Sequence, residues 1–414
     1  MRLTLSSLTT IFWISAGLVH LSGLGLVGFG IKPIGDCLLS VAVILGVWSG
    51  EIKPFSRSSI AKIAFVVSLL FVIACVWQIV FSVLLWGEPV GALRWGRRWL
   101  IFAIYCVVIN SAVSKRLNGR TIAWAMIASC CIVTLVAFAT DRGSINLTGV
   151  SSSSEVQGGV ALTKLFIPGT SFLAFAVLLL YTLFVHEGKL KYAMLLVPAL
   201  LSFVYVTRFR GWWLGMIMCM VLTSVISMRK HPDTLEVVGR SVAILLCIGL
   251  VAFAGSSLTR SRYEWLYSAY SEFSENSGNV RHRFTNDIAR VESLQTRESP
   301  LFQLVGVGFV SPESPGYSRL GFSSESNDSG WVEVFLTSGY FGCAAIALLW
   351  VCTLLRFIGD AGLRLGPRIA AFSGLAFVVL TLGNSNLLLW DVGFVPLMWL
   401  LAICASLTKA SPCN

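Results

Sequence analysis

Charge is what this 414-residue chain has least of: Asp, Glu, Lys and Arg together make up 12% of it, where soluble globular domains carry about 25%. With 56% hydrophobic residues and a mean hydropathy of +0.80, an ordinary soluble domain is excluded. The 257–328 segment has no cysteine and no lysine. The eleven cysteines fall almost entirely in apolar stretches, with Cys413 at the tail, which excludes a disulfide-stapled ectodomain and makes most of them packing residues. Also lacking are a metal-ligand spacing, a phosphate-binding loop, a nucleophile elbow and a dinucleotide fingerprint, so chemistry without metal or cofactor is expected. No internal repeat at a solenoid period occurs. The first apolar span is long, is flanked by a single Arg2 and has no small-residue cleavage site, so it is expected to stay as a membrane helix.

What is present is apolar helix. Runs of about 20 apolar residues, enough to cross about 30 Å of hydrocarbon, stand near 8–30, 34–49, 60–86, 98–114, 121–140, 166–185, 190–206, 211–228, 240–256, 330–355, 369–389 and 391–408. The fold class expected is an all-α polytopic integral membrane protein of about 12 spans; the second and seventh are short enough for one of them to be re-entrant. The organisation is one integrated domain: helices over 1–256, a polar excursion over 257–328, and helices over 329–414. The serine run at 151–154 places a flexible loop over 141–160.

The formal charge of +11 would suggest nucleic acid in a soluble protein; here the positive-inside rule explains much of it. Lys53, Arg57 and Lys62; Lys115, Arg116 and Arg120; Lys189 and Lys191; Arg229, Lys230 and Arg240; and Arg356, Arg364 and Arg368 fall in alternate loops. Those loops are expected to be cytoplasmic, with both termini inside. The same alternation turns outward the loops holding Arg94, Arg97 and Arg98, the Arg208 and Arg210 pair, and the whole 257–328 segment. Basic residues on that side need another reason.

Phosphate is one such reason, because the guanidinium fork donates two parallel hydrogen bonds and stays charged. Arg208 and Arg210, in Thr207-Arg-Phe-Arg-Gly-Trp-Trp213, sit beside interfacial aromatics and read equally as snorkelling anchors. For Arg94, Arg97 and Arg98, anchoring is the stronger reading. Arg281, His282 and Arg283 have no anchoring duty nearby, the alternative being a solvated face with an Arg283 to Asp287 pair contributing about 0.3–0.5 kcal/mol. Phe284, Ile288, Val291 and Leu294 recur at helical spacing, so their stripe is expected to rest on the membrane domain. Arg283, Asp287, Arg290 and Arg297 would form an adjacent stripe, Pro300 ends the helix, and Gly306 and Gly308 suggest a tight, close-packed turn. A proton acceptor would come from His282, Glu325, Asp328 or Glu333; Asp328, at the re-entry into the membrane, is preferred, against the plain reading of a helix cap.

Taken together, an Arg-Gly pair after a late span, a large arginine-bearing loop, Pro300-Leu-Phe-x-x-x-Gly-Val-Gly308, a polar pair and Gly339-Tyr-Phe-Gly342 resemble the O-antigen ligase and O-antigen polymerase superfamily of bacterial inner-membrane glycosyltransferases. The resemblance covers roughly 205–345. It implies a helical membrane glycosyltransferase fold of the C type and a donor glycan on polyprenyl diphosphate. It also implies membrane lipid, a chain-length regulator and export proteins as partners, and no cofactor. By that resemblance Arg210, followed by Gly211, holds the diphosphate with Arg208 beside it, and Arg283 matches the family's loop arginine, with Arg281 or Arg290 as alternatives. The ligase His-Asn pair falls on Asp328 and Ser329, a departure that favours the polymerase branch. The expected activity is polymerisation of lipid-diphosphate-linked repeat units on the outer face of a bacterial inner membrane. Asp328, Arg210 and Arg283 are the catalytic candidates, and Arg208, Arg281, Arg290, His282, Arg94, Arg97 and Arg98 the substrate-binding ones. A ligase is the nearest alternative and a polysaccharide transporter the alternative of another class.

Overall fold

The computed structural model describes residues 5–21, 32–49, 59–111, 117–141, 151–157, 160–166, 169–207, 210–230, 235–244, 285, 287–292, 300–309, 330–359, 363–382 and 391–407. Apart from one hairpin, the elements among them are helices: α1 (Leu5–Leu21), α2 (Lys32–Trp48), α3 (Ser59–Trp86), α4 (Pro89–Asn110), α5 (Gly119–Asp141), α6 (Thr170–Glu187), α7 (Leu190–Val206) and α8 (Arg210–Lys230). Then come α9 (235–244), α10 (287–292), α11 (Pro300–Val305), α12 (Gly330–Gly359), α13 (Leu365–Thr381) and α14 (Asp391–Ser406). Five of these, α3, α5, α6, α8 and α12, are long and apolar enough to cross a membrane; α1, α2, α7, α13 and α14 are shorter apolar helices. That is the pattern of a polytopic helical membrane protein.

Burial sorts the helices. In α6, 78% of the best apolar window is inside the protein, against 39% in α3 and in α12, so α6 is central and the other two present most of their surface outward. α14 shares the centre: Phe394 through Ala405 are buried without interruption. Its Trp399 meets Phe172 of α6 at 5.0 Å between ring centres, and a Cβ at Gly17 of α1 would come 2.7 Å from the Trp399 Nε1. Glycine here is what lets two helices and an indole share one layer.

Local signals set several helix ends. Gly188, at φ 65°, closes α6 by donating its N–H to the Phe184 carbonyl at 2.8 Å. Gly87, at φ 68°, follows the last residue of α3, and Pro89 opens α4 with the fixed φ that suits a first helical position. Because α4 begins at Pro89, Arg94, Arg97 and Arg98 lie in its first turns and not in a loop ahead of a span starting at 98.

Two further expectations are corrected. Ser151–Gln157 and Val160–Phe166 pair as antiparallel strands, from Ser151 opposite Phe166 to Gln157 opposite Val160, where a flexible loop was expected over 141–160. The β-prone Val160-Ala-Leu-Thr-Lys-Leu-Phe166 run and the Gly158-Gly159 pair between the strands are the signals for it. Pro300 opens the short helix α11, and residues 293–299 ahead of it lie outside the described residues. α12 is not a plain span either, because Gly339 breaks it at φ 60°, ψ −159°.

Candidate functional site

The break at Gly339 exists because another segment occupies the space beside it. Residues 300–309, the short α11 and the turn that follows, cross α12 at the break. A Cβ on Gly306 (φ 72°) would lie 2.3 Å from the Ser338 backbone nitrogen, and one on Gly339 would lie 2.5 Å from the Leu304 carbonyl carbon and oxygen. Two glycines, one from each segment, therefore let two backbones touch. Breaking a helix frees carbonyls that hydrocarbon cannot satisfy. Here protein donors take them: Val307 N–H donates to the Leu336 carbonyl at 2.8 Å and Gly308 N–H to the Thr337 carbonyl at 2.9 Å.

α3 fastens this crossing from the other side. The Gln78 amide donates to both the Val305 carbonyl (3.0 Å) and the Thr337 carbonyl (2.7 Å), one side chain bridging both segments. Ser82 Oγ accepts from the Phe309 N–H at 2.7 Å, and the Trp86 indole N–H donates to the Val307 carbonyl at 2.7 Å. α4 abuts the same turn: Trp99 and Phe309 stand 6.3 Å apart between ring centres, and a Cβ on Gly96 would meet Phe309 at 2.9 Å. The tight turn expected at Gly306 and Gly308 is therefore present, and it is the hub on which α3, α4 and α12 converge.

α10 docks on the same hub. Val291 packs against the small cluster of Val307, Phe335 and Leu336, and Arg290 is buried, only 7% exposed. Ile288, expected on the buried stripe, is 49% exposed. The helix is rotated relative to its hydrophobic period, and the arginine faces inward where the isoleucine was expected to.

The starts of α8 and α12 meet at the end of α13. Gly330 N–H donates to the Leu382 carbonyl at 2.8 Å, and a Cβ on Gly215 of α8 would lie 2.7 Å from Thr381 Cγ2. Trp212 of α8 packs edge-on against Phe377 of α13 at 6.0 Å. Arg210 is the first residue of α8, and Asp328 stands two positions before Gly330. Packing on α13 thus brings together the start of α8, which Arg210 opens, and the start of α12. The side chain of Arg210 lies outside the described residues, as do Arg208, Arg281, His282, Arg283, Glu325 and Asp328 altogether.

The α4 arginines have distinct environments. Arg94 is exposed. Arg98 stacks over the Trp95 ring at 4.8 Å, a cation–π contact. Arg97 grips Asp36 of α2 with two hydrogen bonds, Nε to Oδ2 at 2.5 Å and Nη2 to Oδ1 at 2.8 Å. His20 of α1 joins the same carboxylate, Nε2 to Oδ1 at 2.9 Å; a carboxylate only accepts, so this nitrogen donates. Its other nitrogen is 3.2 Å from the Tyr105 hydroxyl of α4. His20 is 1% and Tyr105 0% exposed, while the Asp36 and Arg97 side chains stay partly exposed, so the node ties α1, α2 and α4 together at the edge of the buried core.

Sequence reading missed His20, Asp36, Gln78, Ser82 and Trp86. Asp36 and Gln78 carry the signal that could have found them: each is a lone strongly polar side chain within an apolar span, and such residues need partners. Glu333, one of the candidate proton acceptors, sits half-buried in the first turn of α12. No family model matches the chain, and no characterised protein sequence matches it either.

Proposed function

We propose that the protein is a bacterial inner-membrane polymerase that joins oligosaccharide repeat units carried on polyprenyl diphosphate, working on the periplasmic face. In this reading the chain has about 12 spans, both termini are cytoplasmic, and the fold is of the C type of membrane glycosyltransferase. The observation that supports it most is the convergence on α13 of the starts of α8 and α12, the helices that Arg210 opens and Asp328 precedes. The buried Arg290 on the hub beside α12 is a second support.

An acceptor sugar hydroxyl attacks the anomeric carbon of the donor glycan. A new glycosidic bond forms as the bond from that carbon to the diphosphate oxygen breaks, and polyprenyl diphosphate leaves with the electron pair. Arg210, Arg208 and Arg283, with Arg281, His282 and Arg290 beside them, stabilise the charge that grows on the departing group. Asp328 takes the proton of the attacking hydroxyl. Arg94 and Arg98 lie at the start of α4, where they attract an anionic substrate, and Arg97 fixes that helix end through Asp36. A transport reading would use the break in α12 as a ligand site; the Leu336 and Thr337 carbonyls are already bonded to Val307, Gly308 and Gln78, which favours the enzyme.

The test is reconstitution of the purified chain in lipid with polyprenyl-diphosphate-linked repeat units, products being separated on a gel. A ladder from the wild type, absent with Asp328→Asn and strongly reduced with Arg210→Lys, is the expected result, since lysine keeps charge but loses the fork. Transfer of a single glycan to an added lipid acceptor would make the protein a ligase. No glycan product with any acceptor would leave transport as the better reading.

A further inference from the structure

A cavity of about 360 Å³ lies between α3 and α12 beneath the hub, lined by Phe71, Cys75, Gln78, Phe309, Phe341 and Ala345 among others. Its rim stands on the outward faces of both helices: Trp77 is 62% and Phe341 63% exposed. α3 is also the most hydrophobic of the long helices, with a mean hydropathy of 2.7, so the medium at this rim is hydrocarbon. Among the described residues, no charged side chain lines the space. The Gln78 amide is already committed to two carbonyls, and Ser338 Oγ donates to the Val334 carbonyl at 3.0 Å. Nothing inside calls for water or for a lipid headgroup.

We infer that this cavity is a binding site for one acyl chain of a membrane phospholipid, entering between Trp77 and Phe341. Its volume is at the lower end of the range for small-molecule sites, about 300–1,000 Å³. Apolar walls lose dispersion contact unless matter of the same chemistry fills the space between them. A site without charge selects by chain alone, and mass action then gives it to the most abundant chain in the bilayer, not to a scarce isoprenoid carrier. The bound chain lies along Val305, Phe309 and Gly342 and so completes the packing of the crossing from its lipid side. This site does not depend on the glycosyl-transfer reading, and its test uses no glycan.

The full chain is reconstituted in nanodiscs containing a phospholipid with a photoreactive diazirine on one acyl chain, irradiated, and digested for peptide mass spectrometry. Adducts within 71–78 and 341–346 are expected to exceed those on Ile132 and Leu135, lipid-exposed residues of α5, by at least about threefold, a difference in local affinity of roughly 0.65 kcal/mol. Ala345→Trp and Ala74→Trp, which fill the space from opposite walls, are each expected to bring the cavity adducts down to the α5 level while the α5 adducts stay as they were. A variant that alters the α5 adducts has disturbed the fold, and the other variant then decides. Equal labelling of cavity and α5 in the wild type, or cavity labelling indifferent to both substitutions, overturns the site. Suppression of the cavity adducts by unlabelled polyprenyl phosphate at a few mole per cent overturns the acyl-chain assignment in favour of an isoprenoid.

Discussion

Two junctions hold helices of this protein together by opposite means. At the node of α1, α2 and α4, charged and polar side chains do the joining, with Arg97 and His20 on one carboxylate, Asp36, and Tyr105 behind His20. At the hub of α3, α11 and α12, the joining is done by backbone brought within reach through Gly306 and Gly339, and Gln78 fastens it. A side-chain junction tolerates small movements, because long side chains re-aim. A backbone junction has no such slack, since any added atom must displace main chain. The rigid junction is the one that carries the loop helix α10 and the start of α12, where the proposed chemistry needs fixed positions.

The sharpest way to break this contrast is at the glycines. Gly339→Ala and Gly306→Ala each combine a left-handed φ with a Cβ 2.3–2.5 Å from backbone, so each is expected to cost about 3 kcal/mol or more. Thermal unfolding in detergent would show it as a large fall in midpoint; a variant that melts like wild type would mean the crossing is not the rigid element described. Next comes the node. Asp36→Asn is expected to cost about 2 kcal/mol, and combining it with Arg97→Gln should cost clearly less than the sum of the two single changes. Additive losses would show that the pair does not act as a unit. On the proposed function, glycan transfer measured below the melting range should be much less affected by Asp36→Asn than by either glycine change.

Smaller effects refine the picture. Gln78→Leu leaves the Thr337 carbonyl with Gly308 as a donor but takes the side-chain donor from the Val305 carbonyl, an expected loss of about 1–2 kcal/mol. Smallest is the comparison within α10: Val291→Ala should cost about 1 kcal/mol and Ile288→Ala less than about 0.5. Equal costs would restore the helix phase that the sequence period suggests.

Much of the fold was legible because long apolar runs and their glycine and proline ends obey local rules. α3, α5 and α8 lie close to their apolar runs, and Gly306 with Gly308 forms the tight turn that was expected. What local rules cannot supply is the neighbour. The break at Gly339 depends on residues 300–309 arriving beside it, so α12 reads in sequence as one continuous span. Ile288 and Arg290 exchange their expected environments because the contact surface for α10 is made by Val307, Phe335 and Leu336, far along the chain. Asp36 and Arg97 are separated by 61 positions, and only the folded placement of α2 within reach of the Arg97 side chain makes them a pair. The hairpin is illegible for a different reason: the serine run 151–154 has little strand preference of its own and becomes a strand only by pairing with Val160–Phe166.

The clip made by Gln78 also has a consequence in time. Its acceptors at Val305 and Thr337 lie 227 and 259 positions later in the chain. At a synthesis rate of about 5–20 residues per second, α3 enters the membrane roughly 10–45 s before the first of them is made. For that interval the Gln78 amide waits in hydrocarbon without the two carbonyls it will bind in the finished protein, a cost the inserting chain carries until residues 300–309 and α12 arrive.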